Sequence, residues 1–237
     1  GNMTAEVANN YILAMNAAYK FNGEAKKLNE VIDGQNSIST RNNISLSNMA
    51  AAMTEIGSAA SGYHISIEEL SAMIGTIGSI THMEGSEIGS SVNSILNNLQ
   101  NTGSADITDT LNAANVSMTE LVNGSEKLRD PISILKELSA VYNQLGENDS
   151  LKGDILSSIG GNTQSEELDA LLRNMETFDS MLTDYAQGSG SAMETAMMSA
   201  NSWEGSLNQL SNTWTDTVNN IANSDTIISV SYTHLTL

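Results

Sequence analysis

Apolar residues recur every three or four positions along most of the chain, the period of amphipathic helices. Val7, Tyr11, Ala14, Ala18, Phe21, Ala25, Leu28 and Ile32 mark the first stretch, which Gly23 is expected to kink or split. Ser37–Asn43 is polar and predicts a turn; Met49, Met53 and Ile56 then predict an Ala-rich helix that stops near Gly62. Ser66 and Glu69 have the S-x-x-E form of a capping box, in which the Ser hydroxyl and the Glu carboxylate satisfy free backbone N–H groups. Behind it, Ile67, Leu70, Ile74 and Ile77 form one stripe. After a loop at His82–Gly85, Ile88, Val92, Ile95 and Leu99 form the next. The tight loop predicts an antiparallel helix pair, with Gly75, Gly78 and Gly89 allowing close backbone approach.

A short helix is expected over Asp106–Ala114. Asp130-Pro131 is a strong start signal, because Asp caps the free N–H groups and Pro loses nothing at the first helical position. Ile134, Leu138, Val141 and Leu145 carry that helix to Gly146, and Ser150 is expected to cap the next, which ends at Gly160-Gly161. Leu168, Leu171, Met175, Phe178, Leu182 and Tyr185 predict a stripe of about five turns, with Asp169 and Arg173 spaced i,i+4 on its outer face. Beyond Gly188-Ser189-Gly190, a stripe from Met193 through Trp203, Leu207, Leu210, Trp214 and Val218 to Ile221 approaches a heptad seam. Such a seam needs a partner, from this chain or from another copy. From Thr226 the texture becomes β-branched and alternating, and the tail reads as foreign to the rest.

The expected architecture is all-α: several short antiparallel helices plus one long C-terminal helix, with no substantial sheet. Four regions are expected: an N-terminal helical segment (1–36), a helical core region (37–187), the long C-terminal helix (188–225) and the atypical tail (226–237). The chain lacks Met at position 1 and shows no signal peptide, so it reads as an internal segment of something longer.

Charge narrows the function. The 28 acidic residues against 9 basic ones leave a net charge of −19, which repels phosphates and argues against nucleic-acid or anionic-lipid binding. With 40% hydrophobic residues the chain is nevertheless no disordered acidic tail. Cysteine is absent, which excludes disulfides, thiolate zinc sites and cysteine nucleophiles. No apolar run is long enough to span a membrane.

No catalytic constellation is found. His64, His82 and His234 are far apart; His64 with Glu68 offers two ligands and no site. His82-Met83-Glu84 matches the H-x-E of zinc deaminases, a chemistry that also needs two thiolates. Glu68-Glu69 and Glu166-Glu167 sit where acids complement a helix dipole, and Asp149–Asp154 lacks the alternating acids of a calcium loop. No phosphate loop, nucleophile elbow or dinucleotide fingerprint is present. No cofactor is expected. Two helix-packing features remain as candidates: the seam of Trp203, Gly205, Leu207, Leu210 and Trp214, and the Gly85-x-x-x-Gly89 pair. Trp203-Glu204-Gly205 is also a W-x-G tripeptide, as in small secreted helical hairpins of Gram-positive bacteria, with core packing as the plainer reading.

In order and spacing these segments resemble the core region of phage tail tape-measure proteins. His64–Ala72, Gly85–Gly89 and Ile95–Leu99 carry the first part. Gly124–Pro131 is similar to that family's G-x-x-R helix start, Ile155–Asn162 to its x-L-x-G-G turn, and Gly188–Ala192 with Trp203–Trp214 to its closing helix. The resemblance runs from about Leu28 to Ile221, and Ile88 departs from it where the family often carries a small residue. It implies a non-enzymatic virion component, assembled in the bacterial cytoplasm, that templates the tail tube and sets its length. The implied partners are the tail tube protein, tail assembly chaperones, tip or baseplate proteins, and further copies of itself. Alternatives from other classes are a secreted W-x-G-type helical effector or adhesin and, last, a cell-wall hydrolase.

Overall fold

The computed structural model describes residues 5–21, 25–57, 59–161 and 163–188. Within them the protein is built almost wholly of helices: α1 (Ala5–Tyr19), α2 (Ala25–Arg41), α3 (Leu46–Ile56), α4 (Ala59–Gly62), α5 (Ile67–Thr81), α6 (Gly85–Leu99) and α7 (Ala105–Ala113). A two-stranded hairpin, β1 (Thr119–Val122) and β2 (Ser125–Leu128), precedes α8 (Pro131–Tyr142), α9 (Ser150–Ile155), α10 (Ser165–Arg173) and α11 (Met175–Ala186). The all-α class expected from the periodicity holds, with this small hairpin added. The long C-terminal helix and the tail from Thr226 lie outside the described residues.

Helix α5 is the hub. Every residue from Leu70 to Gly78 is buried, so the helix is covered on all sides rather than along one stripe. Its small residues make this possible: a Cβ on Gly75 would meet Met181 Sδ at 2.5 Å, and one on Gly78 would meet Ile44 Cδ1 at 2.5 Å. Helices α2, α3, α6, α10 and α11 surround it. One continuous core cluster runs from Ala8 in α1 to Tyr185 in α11. Within it, Tyr11 Oη donates to Gln35 Oε1 at 3.0 Å, and Gln35 Nε2 donates to Ser71 Oγ at 3.1 Å. This buried chain fixes the relative register of α1, α2 and α5, because a slip would strand polar groups away from water.

Several ends follow the signals in the sequence. Ser66 and Glu69 form both halves of the capping box, and Asp130 caps α8 with Pro131 in its first turn. Other boundaries differ. Ser37–Ser39 belong to α2, and the predicted turn begins only at Asn42: Ser37 is buried, and Ser39 Oγ reaches the Ile44 carbonyl at 2.9 Å. The helix predicted to run to Gly62 is broken after Ile56, where Gly57 turns to φ +51°, and the separate α4 then ends at Gly62. Asp149, not Ser150, caps α9 through the Leu151 N–H. The five-turn stripe from Leu168 to Tyr185 is two helices, broken at Asn174, whose side chain donates to the Ala170 carbonyl at 2.7 Å.

The aromatic residues of this core give a pH expectation. Burial raises the Tyr11, Tyr19 and Tyr185 phenols well above their ordinary value of 10.0. Tyr142 is pushed up to about 12 by burial and by its hydrogen bond to Asp169. A phenol whose pKa rises on folding stabilises the fold below the unfolded value and loses that contribution as pH climbs through the folded one. From neutral pH upward, stability is therefore expected to hold to about pH 10 and to fall above it, with Tyr142 ionising near pH 12. Phenolate absorbance should then appear together with loss of helical circular dichroism. Ionisation of these tyrosines at pH 10 with the helices intact would contradict it.

Candidate functional site

Three constructions stand out: a close helix crossing, a charged network and an exposed hairpin. The crossing joins α3 and α6. A Cβ on Gly85 would come within 2.8 Å of Asn48 Cα, and one on Gly89 within 2.9 Å of Ala52 Cα, with the Asn48 and Ala52 carbonyl oxygens closer still. Only hydrogen atoms separate the two backbones, one turn apart, so α6 lies on α3 more closely than on α5. Of the three glycines expected at an α5–α6 contact, Gly78 faces Ile44 and Ile88, Gly75 faces Ile38 and Met181, and Gly89 faces α3. Trp203, Gly205, Leu207, Leu210 and Trp214 lie outside the described residues.

The network ties α8, α9 and α10 together. Tyr142 at the end of α8 donates its phenol proton to Asp169 Oδ1. Lys152 Nζ and Arg173 Cζ stand 5.0 and 5.7 Å from its ring centroid, within cation–π range. Arg173 binds Asp169 at 2.7 Å and Glu147 at 3.1 Å, and Lys152 reaches the same Glu147 at 3.3 Å. The two cations hold the Glu147 carboxyl below its usual range. Arg41 with Asp184 and Lys136 with Asp179 pin α11 to α2 and α8, at 2.8 and 2.7 Å. Lys26 and Arg129 are paired as well, with Glu30 and Glu137. Scarce positive charge is thus spent on internal ties.

Among the described residues, the candidate acids and histidines assemble into no reactive group. Glu69 is used in the capping box. Glu167 is buried and accepts from Ser91 Oγ at 2.8 Å. His64 and His82 occupy left-handed turn positions at φ 57° and 56°. Among the described residues no three His, Asp or Glu side chains are placed to hold a metal ion, and no helix is long and apolar enough to cross a membrane.

The hairpin was not anticipated: Gly124–Leu128, assigned above to a helix start, is the turn and second strand. Asn123 and Gly124 take φ 53° and 77°, the left-handed pair of a type I′ turn. Their Asn-Gly dipeptide was the available signal.

No curated protein and no solved structure matches the chain. A family of phage-related minor tail proteins does, over residues 1–161 of 237. On that match, spanning α1 to the π-helical stretch Leu156–Gly160 that continues α9, the chain belongs to the phage-related minor tail protein family.

Proposed function

We propose that this chain is the folded core region of a tail tape-measure protein, a non-catalytic component that templates the tail tube and sets its length. The observation that carries the reading is the family match joined to the order of helix signals from His64 to Gly161. A ruler works through helix length, at about 1.5 Å per residue, and needs no reactive centre. The packed unit of α1 to α11 is a compact station on such a ruler rather than its rod. Its partners are the tail tube protein, tail assembly chaperones, tip or baseplate proteins and further copies joined through the Trp203–Trp214 seam. It uses no cofactor and resides in the virion. The excess of acid, with Lys26, Arg41, Arg129, Lys136, Lys152 and Arg173 paired internally, supports a component past which DNA slides without sticking.

Deleting the gene from its phage is expected to abolish tails or leave them misassembled. Inserting or removing helical residues outside the folded unit should change tail length by about 1.5 Å per residue. Normal tails of unchanged length in both experiments would overturn the reading.

A further inference from the structure

The hairpin presents one open edge and a face with two exposed leucines beside a Thr119–Glu126 hydrogen bond, and we infer that β2 accepts an extended segment of another protein as a third strand. The open edge follows from the register. Val122 pairs with Ser125 across the two-residue turn, Glu120 with Lys127, and the ladder continues with Arg129 N–H donating to the Met118 carbonyl at 2.9 Å. In an antiparallel pair hydrogen-bonded and non-bonded positions alternate, so Thr119 and Leu121 point their backbone groups outward on β1, and Glu126 and Leu128 do so on β2. The β1 edge is blocked at Thr119: Ser117 Oγ accepts from its N–H at 3.2 Å and donates to its carbonyl at 2.7 Å. No such cap covers Glu126 or Leu128 among the described residues, and all four residues of β2 are exposed.

The face points the same way. Thr119, Leu121, Glu126 and Leu128 share one side of the hairpin, with Leu121 and Leu128 as diagonal neighbours. Leu121 is 79% exposed and Leu128 46%. An isolated two-stranded hairpin is marginal in water and gains stability from a third strand or a covered face. A cleft of about 540 Å³ is lined by Thr119, Glu126 and Leu128 of this face together with Leu111, Val116 and Met118 of α7 and the segment after it. Side chains of an added strand on that face would enter it.

Charge selects the occupant. Every two-fold antiparallel pairing of β2 with its own copy that matches outward groups sets like charges opposite one another. The choices are Glu126 on Glu126, Lys127 on Lys127, or Lys127 on Arg129 with Glu126 on Asp130. A second copy is therefore disfavoured. A foreign antiparallel strand fits when it sets an apolar residue opposite Leu128, an acid opposite Lys127 and a base opposite Glu126. Read from its N-terminus, the recognised pattern is apolar–acidic–basic, and the four outward backbone groups supply affinity by strand addition. This surface is independent of the tape-measure reading and stands or falls on the hairpin alone.

The test uses the full chain, isotope-labelled for amide NMR, with acetyl-Thr-Val-Glu-Lys-Val-Thr-amide as probe. The amides of Glu126 and Leu128 should shift, and their hydrogen exchange should slow. Methylating the backbone nitrogens of the probe's first Val and its Lys should abolish binding. Glu126→Lys should weaken the probe about threefold and strengthen, by a similar factor, a peptide with Glu in place of that Lys. Shifts that fall elsewhere, or no slowing at either amide at saturating peptide, would overturn the inference. So would concentration-dependent self-association that protects the same two amides. Should Glu126→Lys fail to fold, the methylated probe against the unaltered chain decides alone.

Discussion

Ending the chain after Gly161, where the family match stops, is expected to abolish cooperative folding, whereas ending it after Gly188 preserves it. The shorter form loses α10 and α11, and with them Leu168, Leu171, Leu172, Phe178, Met181 and Tyr185, all buried. At about 2 kcal/mol for each buried side chain the loss is on the order of 12 kcal/mol, comparable to the whole stability of a typical domain of about 5–15 kcal/mol. It also uncovers α5, which has no polar face to offer water. Thermal melts followed by circular dichroism would check both forms. A sharp transition in the form ending at Gly161 would show that α11 is an accessory rather than part of the core.

The second large effect lies at the α3–α6 crossing. Gly89→Ala places a methyl against the Ala52 backbone, which cannot rotate aside as a side chain can. The helices must separate, and overpacking of this kind costs about 3 kcal/mol, more than the roughly 1 kcal/mol that alanine returns in helix propensity. Gly153→Ala is the matching control. That residue is also helical, yet nothing lies within 4 Å of its added Cβ, so the change is expected to stabilise by about 0.5–1 kcal/mol. Denaturant midpoints of the two variants should move in opposite directions. A shared direction would mean that the crossing yields without cost.

How much of this was legible in the sequence depends on the range of the signal. Local chemistry was readable: the capping box at Ser66–Glu69, the Asp130-Pro131 start, and the stripes that became α5, α6 and α8. Each of these depends on residues within one or two turns. The break at Asn174 was not readable from periodicity, because Leu168 to Tyr185 keep one apolar face across it and only an Asn side chain marks the interruption. Ser37 looked like a turn residue, and its place inside α2 reflects burial by distant elements. The partners of the glycines were hidden for the same reason. Gly34 makes room for the Tyr185 ring, 2.7 Å from where its Cβ would stand, although the two are far apart in the chain. The hairpin differs, since Asn123-Gly124 between Leu121-Val122 and Leu128 is a local signal that the resemblance to a helix start overshadowed.

Gly188 sits against Asp33 and Gly34, where a Cβ would meet the Asp33 carbonyl oxygen at 2.6 Å. Upstream of it, Tyr185 also faces Gly34 while Asp184 pairs with Arg41 at the end of α2, so α11 runs antiparallel to α2. A pull delivered at Gly188 along the axis of α11 therefore slides that helix past α2 instead of peeling it away. The tyrosine and the Arg41 ion pair would have to yield together rather than one after another. A force applied at Gly188 along that axis is thus borne by the whole α2–α11 contact at once.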